Sequence, residues 1–185
     1  MFESLRRSLG RAGARFHFRA SRDTVISFAR AFRPDDRVLV LMPFFAPDDR
    51  AALAVLETIG VRFRQERMTI MTSGPQLTIT RALPRAAVIA FTGDDLSALY
   101  LPRAGLLGRL RERTFDAAID LNLDFNLPSG YIGRECKARV RAGFAGPNAD
   151  LFYNLQVRVE QSAGRDHAYA RLVQCLQMFS GQEGV

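Results

Sequence analysis

The stretch Arg33 to Gly60, "RPDDRVLVLMPFFAPDDRAALAVLETIG", decides how this chain is read. A turn-forming "RPDD" leads into an unbroken apolar run, Val38 to Met42, of the kind found in strands buried on both faces. A helix is expected next. Pro47 stands near its start, Asp48 and Asp49 fall in its first turn, an Ala/Leu stripe runs along it, and Gly60 ends it. Strand followed by helix is the repeating unit of a parallel sheet.

Outward from that unit the pattern continues. Residues 61–80, "VRFRQERMTIMTSGPQLTIT", alternate and carry a "TSGP" turn, predicting two strands or one strand and an irregular return. "AAVIAF" (86–91) reads as a buried strand ending at "TGDD", and Leu96 to Thr114 as helix broken or kinked by Pro102 and Gly105. "DAAIDLNL" (116–123) predicts a strand, Ser129 to Ala138 a short helix, "RVRAGFAG" (139–146) a strand and turn, and "LFYNLQVRV" (151–159) an extended segment. "RDHAYARLVQCLQMF" (165–179) closes the series as an amphipathic helix with Ala168, Leu172, Cys175, Leu176 and Phe179 on its apolar side. With no internal repeat or low-complexity linker, the expectation is α/β: one Rossmann-like, mostly parallel sheet flanked by helices. Ligands of such sheets lie beyond the carboxyl ends of the strands. The loops Pro43 to Asp49, Thr92 to Asp95 and Asn122 to Gly130 are therefore expected to cluster.

The 185 residues, 48% of them hydrophobic, suit one domain with one core. We divide them into a basic helical segment (1–33), the sheet-bearing lobe (34–180) and a flexible tail (181–185). No run approaches ~18 apolar residues, and "MFESLRRSLGRAGARF" lacks the apolar centre of a secretory signal, so the cytoplasm is expected. Cys136 and Cys175, far apart and without CxxC spacing, read as reduced thiols.

The net charge of +7 is concentrated: residues 1–33 carry eight arginines against Glu3 and Asp23. On a helical wheel Phe2, Leu5, Leu9, Ala12 and Phe16 share one side, and Arg7, Arg11, Arg15, Arg19 and Arg22 fall opposite. Such a basic amphipathic helix can lie on an anionic membrane surface or touch nucleic-acid phosphate. It can equally dock its Phe/Leu stripe on its own domain with the arginines in solvent. No nucleic-acid motif accompanies the charge, which makes that partner the weakest of the three. Lys137 is the only lysine, so an arginine-favouring genome composition is an alternative to selection for a partner as the source of the arginine excess.

In "DLNLDFN" (120–126) polar residues alternate with apolar ones, predicting that Asp120, Asn122, Asp124 and Asn126 share one strand face, wetted or in contact with a polar ligand. The spacing of Asp120, Asn122 and Asp124 superficially matches a calcium loop, but Phe125 stands where glycine is needed and Tyr131 where a bidentate glutamate is needed. His17 and His167 show no ligand spacing, so no metal is expected. Gly-x-Gly-x-x-Gly after the first strand and the P-loop pattern are both missing, "PSGYIG" reads as a turn before a helix, and Ser129 lacks the flanks of a nucleophile elbow. No cofactor is expected. Carboxylates at strand ends remain: Asp48 and Asp49, Asp94 and Asp95, Asp120 and Asp124. One of them could serve as the base of a sugar transfer, or the acids at 48 and 49 simply complement a helix dipole.

Taken in order, "RVLVLMPFFAPDD", "FDAAIDLNLDFN", "CKARVRAGFAG" and "RDHAYARLVQCLQMF" resemble the N-terminal half of bacterial heptosyltransferases of glycosyltransferase family nine. The resemblance covers roughly residues 36–180. It places Asp48 on the family's general base, Asp120 on the acid of its Ile-Asp step, Gly143 and Phe144 on its Gly-Phe pair, and His167 and Arg171 on the connecting helix. Met42 stands where the family has a basic residue, and Pro43 to Pro47 replace its small, hydroxyl-bearing loop.

What the resemblance implies is an acceptor lobe of envelope saccharide assembly, such as lipopolysaccharide, inactive alone and completed by a donor-binding partner. Asp48 would be catalytic, with Asp49, Asp120, Asn122, Asp124 and Asn126 near the saccharide acceptor. The alternative is a non-catalytic scaffold module that binds a membrane surface or a protein through the arginine helix.

Overall fold

A computed structural model of the chain describes residues 2–21, 23, 31–44, 50–74, 76–160 and 164–179. Asp48, Asp49, Arg22 and the segment 181–185 lie outside the described residues. The elements in chain order are α1 (Phe2–Phe18), β1 (Val38–Leu41), α2 (Arg50–Arg62), β2 (Met68–Thr72), α3 (Gln76–Ala82), β3 (Ala87–Ala90), α4 (Ala104–Arg111), β4 (Ala117–Asp120), α5 (Leu127–Glu135), β5 (Val140–Phe144), β6 (Leu155–Val157) and α6 (Arg165–Met178).

The strands form one six-stranded sheet in the order β3-β2-β1-β4-β5-β6, and every pairing is parallel. This is the Rossmann-type strand order. Each residue of β1 is buried, as a strand covered on both faces requires. Val38 and Val40 join a core with α2 and α6, whereas Leu39 and Leu41 point into a second core with α1, α4 and α5. The domain is thus three layers, and β1 and β4 are its central strands.

Three expectations need correction. "QLTIT" is the helix α3, because Ile79 and Leu83, four residues apart, both turn into the core. The strand expected through Leu123 stops at Asp120. Beyond it the polar side chains bond to nearby backbone, which competes with the sheet ladder: Asp120 accepts from the Asn122 amide (2.9 Å), and Asn126 caps α5 by accepting from the Ser129 amide (3.2 Å). The helix expected over 96–114 is shortened to α4, since Leu96 and Pro102 bridge antiparallel before it begins.

The third layer includes α1, docked by the side opposite to the one its amphipathicity suggests. Gly10, Ala14 and Phe18 are buried, while Phe2, Leu5, Leu9 and Phe16 are 83%, 56%, 51% and 65% exposed. The Phe/Leu stripe does not dock on the domain. Small residues at 10 and 14 let the helix backbone approach closely, and the Phe18 ring fits against Tyr131 and Phe152, at centroid distances of 4.9 and 6.1 Å.

At its end α1 is fastened by Glu135, the last residue of α5, which lies 3.1 Å from His17 Nε2 and 2.5 Å from the Arg111 guanidinium. Burial would raise the Glu135 pKa, but the bonds from Arg111 and His17 outweigh it and hold the carboxyl below its usual range. A depressed carboxyl contributes stability above the ordinary glutamate pKa of ~4.3 and loses it as pH falls through the lowered value. Both partners are largely in solvent, so Glu135→Gln should cost about 1 kcal/mol at neutral pH. Denaturation at several pH values should show the gap from wild type closing below ~4.3, and a pH-independent gap would refute this account.

Candidate functional site

Two loops leave the carboxyl ends of β1 and β4, the place where the order of connections reverses and where open parallel sheets hold ligands. Asn122 ties them together. Its side-chain oxygen accepts from the Phe44 amide (2.8 Å), and its amide nitrogen faces Met42 O (3.4 Å), Asp120 Oδ1 (2.7 Å) and Ser129 Oγ (3.1 Å). Asp120 lies behind it, 1% exposed, with both oxygens engaged: Oδ1 by Asn122, Oδ2 by the hydroxyls of Ser129 and of Tyr153 (2.5 Å). Desolvation raises the Asp120 pKa, opposed by the bonds from Ser129, Tyr153 and Asn122. Tyr153 is pushed well above its ordinary value by the same burial and by the carboxylate.

In front of this buried knot opens a cavity of about 480 Å³, lined by both loops, by α1 and by the start of α6. One wall presents Asn122, Asp124, Asn126 and Phe44; α1 and α6 add Arg7, Arg11 and Arg165. Hydrogen-bonding amides beside three guanidinium groups suit a polar, negatively charged ligand. Tyr100 also lines the cavity, at the left-handed φ of 61°, which is costly for an aromatic residue. Its hydroxyl donates to Glu3 (3.4 Å) and its ring lies under Arg7, so the loop 96–102 and α1 hold one another.

The sequence-derived residues therefore separate. Asn122, Asp124 and Asn126 come together on the cavity wall, with Asp120 behind the wall rather than on it. Of the arginines, Arg7 and Arg11 face the cavity, Arg15 donates to Asn148 (2.9 Å), and Arg19 lies over the Phe16 ring at 4.0 Å. The 92–95 loop only partly joins the cluster: Phe91 packs on Phe44 at 4.4 Å, while Asp95 accepts from the Thr92 amide (2.9 Å) and pairs with Arg109 (2.7 Å). Among the described residues no group of His, Cys, Asp or Glu gathers as a metal site. Both cysteines are free thiols, and burial pushes Cys136 up to about 11.

Tyr100 and Arg165 escaped the sequence reading. Nothing local in "SALYLP" announces a positive φ. Arg165 did leave a trace, because a cation in the first turn of a helix opposes the dipole.

No family model matches this sequence, and no curated protein matches it. Among solved structures, the glycosyl transferase family 9 protein from Veillonella parvula DSM 2008 is similar, with a TM-score of 0.52 and 16% identity, over 82% of this chain and 43% of that one. At that identity the likeness is one of fold: the chain has the α/β architecture of a glycosyl transferase family 9 protein and spans less than half of that protein's length.

Proposed function

We propose that this chain is a glycosyltransferase-like acceptor lobe of the heptosyltransferase type, serving lipopolysaccharide or other envelope saccharide assembly. The observation that carries the reading is the cavity at the carboxyl ends of β1 and β4, where three amide- or carboxylate-bearing side chains meet Arg7, Arg11 and Arg165. The fold likeness supports it. Sugar hydroxyls are matched by Asp124 and by the Asn126 amide on the wall that Asn122 fixes, and an acidic group on the saccharide by the arginines. Transfer requires donor and acceptor to be held together, and one crevice supplies one surface. A second surface, on further residues of the same polypeptide or on a separate partner, would carry the activated sugar.

Asp48, four residues after Phe44 in sequence, is the base in this reading. Asp48→Ala should lower transfer of labelled heptose from its nucleotide donor by ~10²–10⁴-fold in an assay supplemented with membranes from cells lacking the chain. Unchanged transfer would discard the assignment. A pulldown from the same membranes should recover the donor-binding partner.

One observation favours a second reading, a non-catalytic module at a membrane or protein surface: the apolar stripe of α1 stays exposed. Wild-type chain that adds no transfer to the deficient membranes, yet restores their protein assembly, would select it.

A further inference from the structure

We infer that α1 is an in-plane membrane anchor whose Phe2, Leu5, Leu9 and Phe16 enter the interfacial zone of an anionic bilayer. The four side chains lie along one line of the helix and are each more than half exposed. They cannot turn inward. The opposite face is committed: the Gly10 α-carbon lies so close to the Leu99 carbonyl that an added Cβ would stand 2.2 Å from its oxygen, and Ala14 and Phe18 are in the core. Rotating the stripe onto the domain would break all three contacts.

Charge decides what covers this face. Helical geometry at ~100° per residue puts Arg6 on one border of the stripe, and Arg19, Arg15 and Arg11 beyond the other. Glu3 is the single acid of α1. An apolar strip bordered by arginines on both sides is complementary to acyl chains beneath phosphate headgroups. A second copy would set arginines against arginines, which opposes dimerisation through this face. The helix is too short and too charged to span, and among the described residues no helix is long and apolar enough to cross a membrane. It lies along the surface instead.

Because Arg7 and Arg11 of the same helix line the cavity, the cavity is held beside the headgroup plane. The anchor itself rests on α1 alone and holds whether or not the cavity transfers a sugar.

The test is co-sedimentation of the full chain with vesicles of phosphatidylcholine alone or mixed with phosphatidylglycerol. Wild type should bind the mixed vesicles, and weaken in high salt as the attraction is screened. The Leu5→Glu/Leu9→Glu double variant should lose at least ~tenfold in partitioning with an unchanged melting temperature, since both positions are in solvent in the fold. Arg6→Gln and Arg19→Gln should each lose roughly fivefold on anionic vesicles only. Failure of wild type to bind mixed vesicles, or equal binding by the double variant, would overturn the inference. So would sedimentation equilibrium showing a dimer that the double variant dissociates, which would assign the stripe to a second copy.

Discussion

Asp120→Ala should destabilise the domain by on the order of 3–5 kcal/mol, a large share of the roughly 5–15 kcal/mol that holds an ordinary domain folded. The carboxylate is fully buried and receives the Ser129 hydroxyl, the Tyr153 hydroxyl and two N–H groups of Asn122. Removing it strands these donors away from water, each orphaned group costing about 1–3 kcal/mol. Chemical denaturation measures the change, and a loss under about 1 kcal/mol would mean that the knot does not organise the cavity wall.

Asp120→Asn adds a pH signature. Burial raises the pKa of Asp120 against the pull of its donors, so its contribution is complete below the ordinary aspartate value of ~3.9 and declines as pH rises through the raised one. The stability gap between wild type and Asp120→Asn should therefore narrow with increasing pH. A widening gap would show that the hydrogen bonds outweigh desolvation.

Gly10→Val should detach α1. The new Cβ would meet the Leu99 carbonyl oxygen at 2.2 Å and a Leu127 methyl at 2.9 Å, neither of which α1 can clear while Ala14 and Phe18 remain seated. Hydrogen exchange should report at least ~tenfold loss of amide protection across residues 2–18, with the strands unchanged, because the sheet does not depend on that helix for its pairing. Gly13→Ala is the control. Its Cβ finds only a Leu101 methyl at 3.6 Å, and alanine in a helix interior should add ~0.5–1 kcal/mol. Equal exchange in Gly10→Val and wild type would refute the close-packing account of how α1 is held.

Strands β1, β3 and β4 were legible because each is an apolar run bounded by turn residues, although β3, at the sheet edge, is only partly buried; α2 was legible from its helical period, but Gly60 does not end it and instead lies within it, buried against Leu83. The strand order was not, since it depends on which strands meet across the chain rather than on any local signal. α3 was misread because seven residues with Thr at alternate positions satisfy a two-residue period as well as a helical one. In "DLNLDFN" the alternation is real, but three of its four polar members are spent on a turn, a clasp and a helix cap, and Asp124 alone is left wholly to the cavity wall. For α1 the wheel located the apolar stripe correctly and could not say what touches it. That depended on Gly10 and Ala14, whose lack of bulk gives no hydrophobic signal. The cavity was half legible: its amides were visible in the sequence, whereas Tyr100 and Arg165 arrive from segments far along the chain.

The clasp at Asn122 has a mechanical corollary. By joining the exits of the two central strands to each other and to α5, it makes that side of the cavity a stiff jaw. The opposing jaw is α1, hung on a glycine, a ring and a glutamate. A ligand that needs the cavity wider or narrower should adjust it from the helix side, where fewer bonds resist the shift.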